Sequence, residues 1–249
     1  MKGIIFESVV PLRREASEAS EMLTQLLFAQ TVDVLEEQPK WLRVRNDEDG
    51  QEGWADAKMV TIMTDEEAAS IAKADRSARV KTPTAVATFE DSEQTIPLTA
   101  GTTLPDYKKG RFSVLGEQFT IYEAMVAPKP IAMNEDTVLD TLWYFQNIPY
   151  LWGGKNGLGL DCSGFTQVAM SLFGKQILRN ASEQATQGTE VARKDAQAGD
   201  LAFFDHEDGK ICHVGMMLNA EDVMHCSGCV KMERLDEMTT HHLVQIRRY

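Results

Sequence analysis

A chain of 249 residues can bury one large core or divide into two or three small domains. Charged residues at 25% and hydrophobic residues at 43% exclude disordered and membrane-embedded compositions. The formal net charge of -13, with no cluster of Lys and Arg, excludes the electrostatic footprint of a nucleic-acid binder.

No run approaches the roughly 20 apolar residues of a membrane span, and residues 1–22 lack the apolar stretch of a secretory leader. As it stands the sequence is expected in the cytoplasm. A chain whose leader had been removed would read the same way and would be periplasmic.

Short alternating runs at Val32-Asp33-Val34-Leu35 and Trp41-Leu42-Arg43-Val44 are strand signals, broken by Gln38-Pro39 and Asp49-Gly50. Gly53-Trp54-Ala55 resumes where a returning strand would pack, so residues 1–63 are expected to form a small β-barrel. Thr64-Asp65-Glu66-Glu67 supplies an N-cap with a glutamate three positions on, and predicts a linker helix over residues 64–79. A second β-rich segment, residues 80–127, has turn pairs at Ala100-Gly101 and Lys109-Gly110 and alternation around Phe112 and Phe119. Ala127-Pro128-Lys129-Pro130 marks a boundary. Residues 128–249 then read as one α+β domain: a helix over 135–146, a glycine-rich loop, a helix near Cys162, and a strand-rich tail. Three bodies in all are expected.

The chemistry concentrates in that last domain. The glycines of Tyr150-Leu151-Trp152-Gly153-Gly154 permit tight backbone, and the apolar run from Phe165 to Phe173 puts Cys162 at or just before a helix N-terminus. Unpaired amides there would lower the thiol pKa and could hold an oxyanion. A cysteine nucleophile also needs a base and a group to orient that base. His213 opens the apolar run Val214-Gly215-Met216-Met217-Leu218, and His225 follows Val223-Met224, where an antiparallel neighbour could bring the two together. His206, His241 and His242 receive no role. The residues alone leave a second reading open, because Cys226-Ser227-Gly228-Cys229 is a C-x-x-C close to Cys212, His213 and His225. Against it, Cys212 and His213 are adjacent and would point to opposite faces of a strand. No helix start follows the C-x-x-C, as a redox pair would require.

Five segments together resemble the NlpC-type cell-wall peptidases, papain-like cysteine hydrolases: Pro149-Tyr150-Leu151-Trp152-Gly153-Gly154, Leu160-Asp161-Cys162-Ser163-Gly164-Phe165, Ala198-Gly199-Asp200-Leu201-Ala202-Phe203-Phe204, His213-Val214-Gly215-Met216, and the strand ending at His225. The front of the chain, through residues 20–27 and Gly53-Trp54, is similar to the two bacterial SH3-like domains of dipeptidyl-peptidase VI-like members. The implied architecture is an α+β papain-like (NlpC-type) catalytic domain, residues 128–249, preceded by two all-β SH3-like barrels, residues 1–63 and 80–127.

By the same resemblance Cys162 is the nucleophile, His213 the base, His225 its orienting partner, and Tyr150 the residue flanking the oxyanion site. Glu21 would contact the free amine of the substrate, while Asp161, Ser163, Asn180 and Ser182 would line substrate subsites. Two departures stand out: Asn180-Ala181 where relatives often carry Asp-Ser, and Gln51 where they often carry a tyrosine.

The implied reaction cleaves the bond between γ-D-glutamate and a diamino acid in murein peptides with a free L-Ala amine, without metal or cofactor, by a monomer, in peptide recycling. An extracytoplasmic hydrolase acting on polymeric wall through its SH3-like domains is the alternative. A wall-binding protein with a degenerate catalytic domain is a third.

Overall fold

The computed structural model describes all residues, Met1–Tyr249. They form two compact units, Met1–Pro130 and Ile131–Tyr249.

In the first unit a seven-stranded antiparallel sheet runs in the order Met22–Leu27, Val9–Arg13, Glu52–Asp56, Trp41–Asn46, Thr31–Glu37, Lys2–Ile4, Thr61–Ile62. Strict alternation builds it: in Trp41–Asn46, Leu42, Val44 and Asn46 point inward while Arg43 and Arg45 reach solvent. Its core gathers Ile5, Val10, Leu12, Leu26, Val32, Leu42 and Val44. A second, four-stranded sheet follows, ordered Thr95–Thr99, Thr84–Phe89, Glu117–Ile121, Arg111–Val114.

The two β-rich segments count as one unit because they share a core. Phe28 of the first segment meets Phe119 of the second edge-on at 5.6 Å, and Phe119 stacks on Phe112 at 4.9 Å. Ile4, Leu98, Leu104 and Val126 join the same cluster. Aromatic burial of this size makes separate opening of either segment costly.

The helix expected over 64–79 spans Asp65–Lys73. Its start follows the sequence reading, with Thr64 and Glu67 forming a reciprocal capping box. The early stop has a local cause. The Asp75 carboxylate accepts from the Ser77 amide, and the Asp75 amide donates to Asp106, so these groups leave the helical ladder.

The second unit opens with helix Glu135–Trp143, capped by Asn134 and shorter than the expected 135–146. The long buried helix Cys162–Leu172 packs on a six-stranded antiparallel sheet. Strand order is Thr189–Val191, His242–Arg248, Leu201–Asp205, His213–Met217, Asp222–Ser227, Cys229–Arg234. The helix touches the two strands that carry His213 and His225.

One close approach sets the helix against the glycine-rich loop. A Cβ at Gly164 would sit 2.1 Å from the Gly154 carbonyl oxygen, so only glycine lets the first turn lie that close.

Candidate active site

Asp161 begins the site as the N-cap of the Cys162 helix. Its Oδ1 accepts the Gly164 amide at 2.6 Å, and its Oδ2 accepts the Gly153 amide at 2.9 Å. Arg179 closes the arrangement from the side. Its guanidinium donates to both carboxylate oxygens, at 3.0 and 2.6 Å, and to Ser163 Oγ at 2.8 Å. Arg179 is 1% exposed and Asp161 6%, so this is a buried, fully paired charge cluster at the start of the helix.

Cys162 is the first residue of that helix and is 7% exposed. The helix it opens packs on the strand His213–Met217. His213 Nε2 lies 2.7 Å from His225 Nδ1. The register explains the meeting: Gly215 pairs with His225 across two antiparallel strands. His225 Nε2 in turn lies 2.7 Å from Glu233 Oε2, and Lys231 Nζ donates to Glu233 Oε1 at 3.0 Å.

The electrostatics correct one expectation. The helix N-terminus was expected to lower the thiol pKa, yet burial pushes Cys162 up to about 12. The Asp161 charge adds to the rise and opposes the helix dipole at the same spot. Burial pushes His213 down to about 2, helped by the charges of His225, His241 and His206. Burial lowers His225 as well, against the pull of Glu233. Burial therefore disfavours both the thiolate and the imidazolium and favours a neutral thiol and a neutral imidazole.

Tyr150 is held by its backbone, its amide donating to the Gly228 carbonyl at 2.9 Å and its chain bridging to Leu160 just before Asp161. Burial and the charges of Cys162 and Asp161 raise its pKa, so the phenol stays protonated and able to donate.

The remaining predicted residues fall less centrally. Asn180 opens the short helix Ala181–Gln184 and donates to Glu183 at 2.9 Å, while Ser182 is exposed. Ser163 is buried and accepts from Arg179. Glu21 lies in the first unit, just before strand Met22–Leu27, with Oε2 accepting from Arg14 Nε at 2.7 Å. Gln51 donates to the Glu52 carbonyl at 3.0 Å.

Sequence reasoning named Arg179 only as part of the substrate-facing loop Arg179-Asn180-Ala181-Ser182, and missed its pairing with Asp161; it also missed Glu233 and His241, whose ring lies 4.2 Å from that of His213. The C-x-x-C straddles a hairpin turn in which Ser227 pairs with Cys229, and Cys226 Sγ donates to the Leu160 carbonyl at 3.1 Å.

Comparison with known proteins bears on this arrangement. The chain is 32% identical over 216 residues to a protein of Bacillus subtilis (strain 168) named gamma-D-glutamyl-L-lysine dipeptidyl-peptidase, covering 81% of this chain and 71% of that one. The NlpC/P60 family pattern matches residues 147–248, which hold Cys162, His213 and His225. The chain belongs to the NlpC/P60 family.

It is a cysteine peptidase of that family, and residues 12–59 match the bacterial dipeptidyl-peptidase Sh3 domain. A Bacillus cereus protein with the same dipeptidyl-peptidase name is 29% identical over 238 residues, covering 84% of this chain and 68% of that one. Among solved structures, an NlpC/P60 family protein from Bacillus cereus superposes with a TM-score of 0.88 at 22% identity, covering 100% of this chain and 99% of that one. That likeness establishes the fold. No helix of this NlpC/P60 peptidase is long and apolar enough to cross a membrane.

Proposed function

We propose that this chain hydrolyses the bond between γ-D-glutamate and a diamino acid, Lys or diaminopimelate, in murein peptides with a free N-terminal L-Ala. It releases L-Ala-γ-D-Glu for cell-wall peptide recycling. The observation that carries the reading is Cys162 at a helix N-terminus beside the His213–His225 pair, in a chain whose two long-range relatives bear the dipeptidyl-peptidase name.

The reaction follows from the parts. Cys162 Sγ attacks the γ-glutamyl carbonyl carbon as its proton passes to His213. Negative charge develops on the carbonyl oxygen, where the free amides of the helix start and the Tyr150 hydroxyl donate. His213 then hands its proton to the departing amine of the diamino acid, leaving L-Ala-γ-D-Glu as a thioester on Cys162. Water, deprotonated by His213, cleaves the thioester and restores the thiol. No step calls for a metal or an organic cofactor.

The catalytic unit is read as a papain-like α+β domain, and the second β-rich segment as a second SH3-like barrel. Glu21 supplies the carboxylate that selects a free L-Ala amine. A desolvated ammonium needs such a partner, whereas an acylated or glycan-linked stem leaves the carboxylate unmatched. The chain is read as a cytoplasmic monomer.

The test incubates L-Ala-γ-D-Glu-L-Lys and its N-acetylated form with the protein and with Cys162→Ala. Release of L-Ala-γ-D-Glu from the free peptide alone, lost in the variant, is expected. Equal turnover of both peptides overturns the free-amine requirement, and release of peptides from purified sacculi would favour the wall-hydrolase reading instead.

A further inference from the structure

The hydrogen-bonded line does not end at the histidine pair: it runs from His213 through His225 to Glu233. We propose that Glu233 is a positioning residue that fixes the tautomer of both histidines, so that His213 keeps its unprotonated Nδ1 for the Cys162 thiol. The inference rests on the reading of Cys162 as nucleophile and His213 as base.

The proton positions follow from what each group can donate. A carboxylate offers only acceptors, so the hydrogen in the 2.7 Å contact between His225 Nε2 and Glu233 Oε2 belongs to His225. A neutral imidazole carries one N–H, so His225 Nδ1 is left as an acceptor. The hydrogen in the 2.7 Å contact between His213 Nε2 and His225 Nδ1 therefore comes from His213. His213, neutral in its turn, has only Nδ1 left as a base. One carboxylate two side chains away decides which nitrogen can take the thiol proton.

The strand pairing builds this line. His225 stands opposite Lys231, and Glu233, two residues beyond Lys231, lies on the same face of its strand. Lys231 Nζ, 3.0 Å from Glu233 Oε1, helps hold the carboxylate ionised. Ionisation matters here, since a protonated carboxyl could donate to His225 Nε2 and reverse every hydrogen in the line. Glu233 touches neither the sulfur nor the reacting carbonyl, so its effect passes entirely through the histidines.

The test compares wild-type protein with Glu233→Leu and Glu233→Gln, by imidazole 15N NMR of the resting protein and by steady-state kinetics on L-Ala-γ-D-Glu-L-Lys. Wild-type His213 and His225 are both expected as the Nε2–H tautomer. Glu233→Leu should give mixed tautomers and a kcat lower by about 10–100-fold with KM nearly unchanged, the size seen for residues that orient a functional imidazole. Glu233→Gln keeps an accepting oxygen and should restore the tautomer and most of kcat.

An Nδ1–H His225 in the wild type overturns the assignment. So does a Glu233→Leu variant with wild-type 15N shifts and kcat. A wild-type protein that leaves the tripeptide intact yet shows the Nε2–H pair supports the assignment and overturns the substrate alone.

Discussion

Two buried polar networks flank Cys162, and they differ in one respect. Asp161, Arg179 and Ser163 form a cluster whose charges are opposite, paired and fixed by three guanidinium hydrogen bonds. His213 and His225 form a line of neutral rings that runs outward to a partly exposed carboxylate. In the proposed reaction the first keeps one protonation state throughout a turnover, while the second takes up and releases a proton twice. Burial serves both. It strengthens the fixed pair, and it keeps the imidazoles neutral and ready to accept.

The contrast can be broken most sharply at the base. His213→Gln keeps a polar side chain but removes the proton acceptor, and kcat/KM on the tripeptide should fall by up to ~10⁴-fold while the unfolding midpoint changes little. A variant within tenfold of wild type would mean that the line is structural.

At the fixed cluster the expected signs reverse. Arg179→Met strands the Asp161 charge in the interior and should cost about 3–5 kcal/mol in urea unfolding. Adding Asp161→Asn to the same chain should recover a good part of that loss. If Arg179→Met unfolds at the wild-type midpoint, the cluster is not a paired buried charge.

Tyr150→Phe removes the proposed oxyanion donor and nothing from either network. A fall in kcat of roughly 100-fold, with stability near wild type, is expected from the loss of one such donor. An unchanged kcat would leave the backbone amides as the only donors.

A further effect is read in pH. Folding disfavours protonation of His213, so the unfolded chain takes up a proton near 6.5 that the native chain refuses until about 2. Stability should fall as pH drops below ~6.5, by up to about 1.4 kcal/mol per pH unit for each such group. Cys162 acts at the other end. The unfolded thiol ionises near 9.0 and the native one near 12, so stability should fall again as pH rises above 9.0. Urea midpoints across this range should show a plateau between the two limbs, with the acid limb shallower in His213→Gln. A monotonic profile would contradict the neutral pair.

Much of this could be read from the sequence, and the misses share a cause. The Cys162 helix was legible because an apolar run follows a capping aspartate, both local signals. His213 and His225 were legible because each stands within an apolar strand run, so a hairpin brings them together. The burial of Arg179 was not, since arginine is ordinarily exposed and nothing local says that this one is buried. Glu233 sits in the half-exposed alternation of Cys229–Arg234, where a glutamate looks like any surface residue. The thiol direction went wrong because the sequence displays the helix start, while burial and the Asp161 charge appear only in three dimensions. The linker helix ran too long because alanine propensity is visible and the Asp75 turn that ends it depends on Asp106, far along the chain. The shared core of Phe28, Phe112 and Phe119 is equally non-local.

The central claim is that Cys162, with its proton taken by His213, forms the bond to the γ-glutamyl carbonyl. Mass spectrometry of acid-quenched reactions with L-Ala-γ-D-Glu-L-Lys tests it directly. The account predicts a transient L-Ala-γ-D-Glu adduct on the peptide containing Cys162, with free lysine released ahead of L-Ala-γ-D-Glu. An adduct on another residue, or lysine and L-Ala-γ-D-Glu appearing together with Cys162 unmodified throughout, would contradict it.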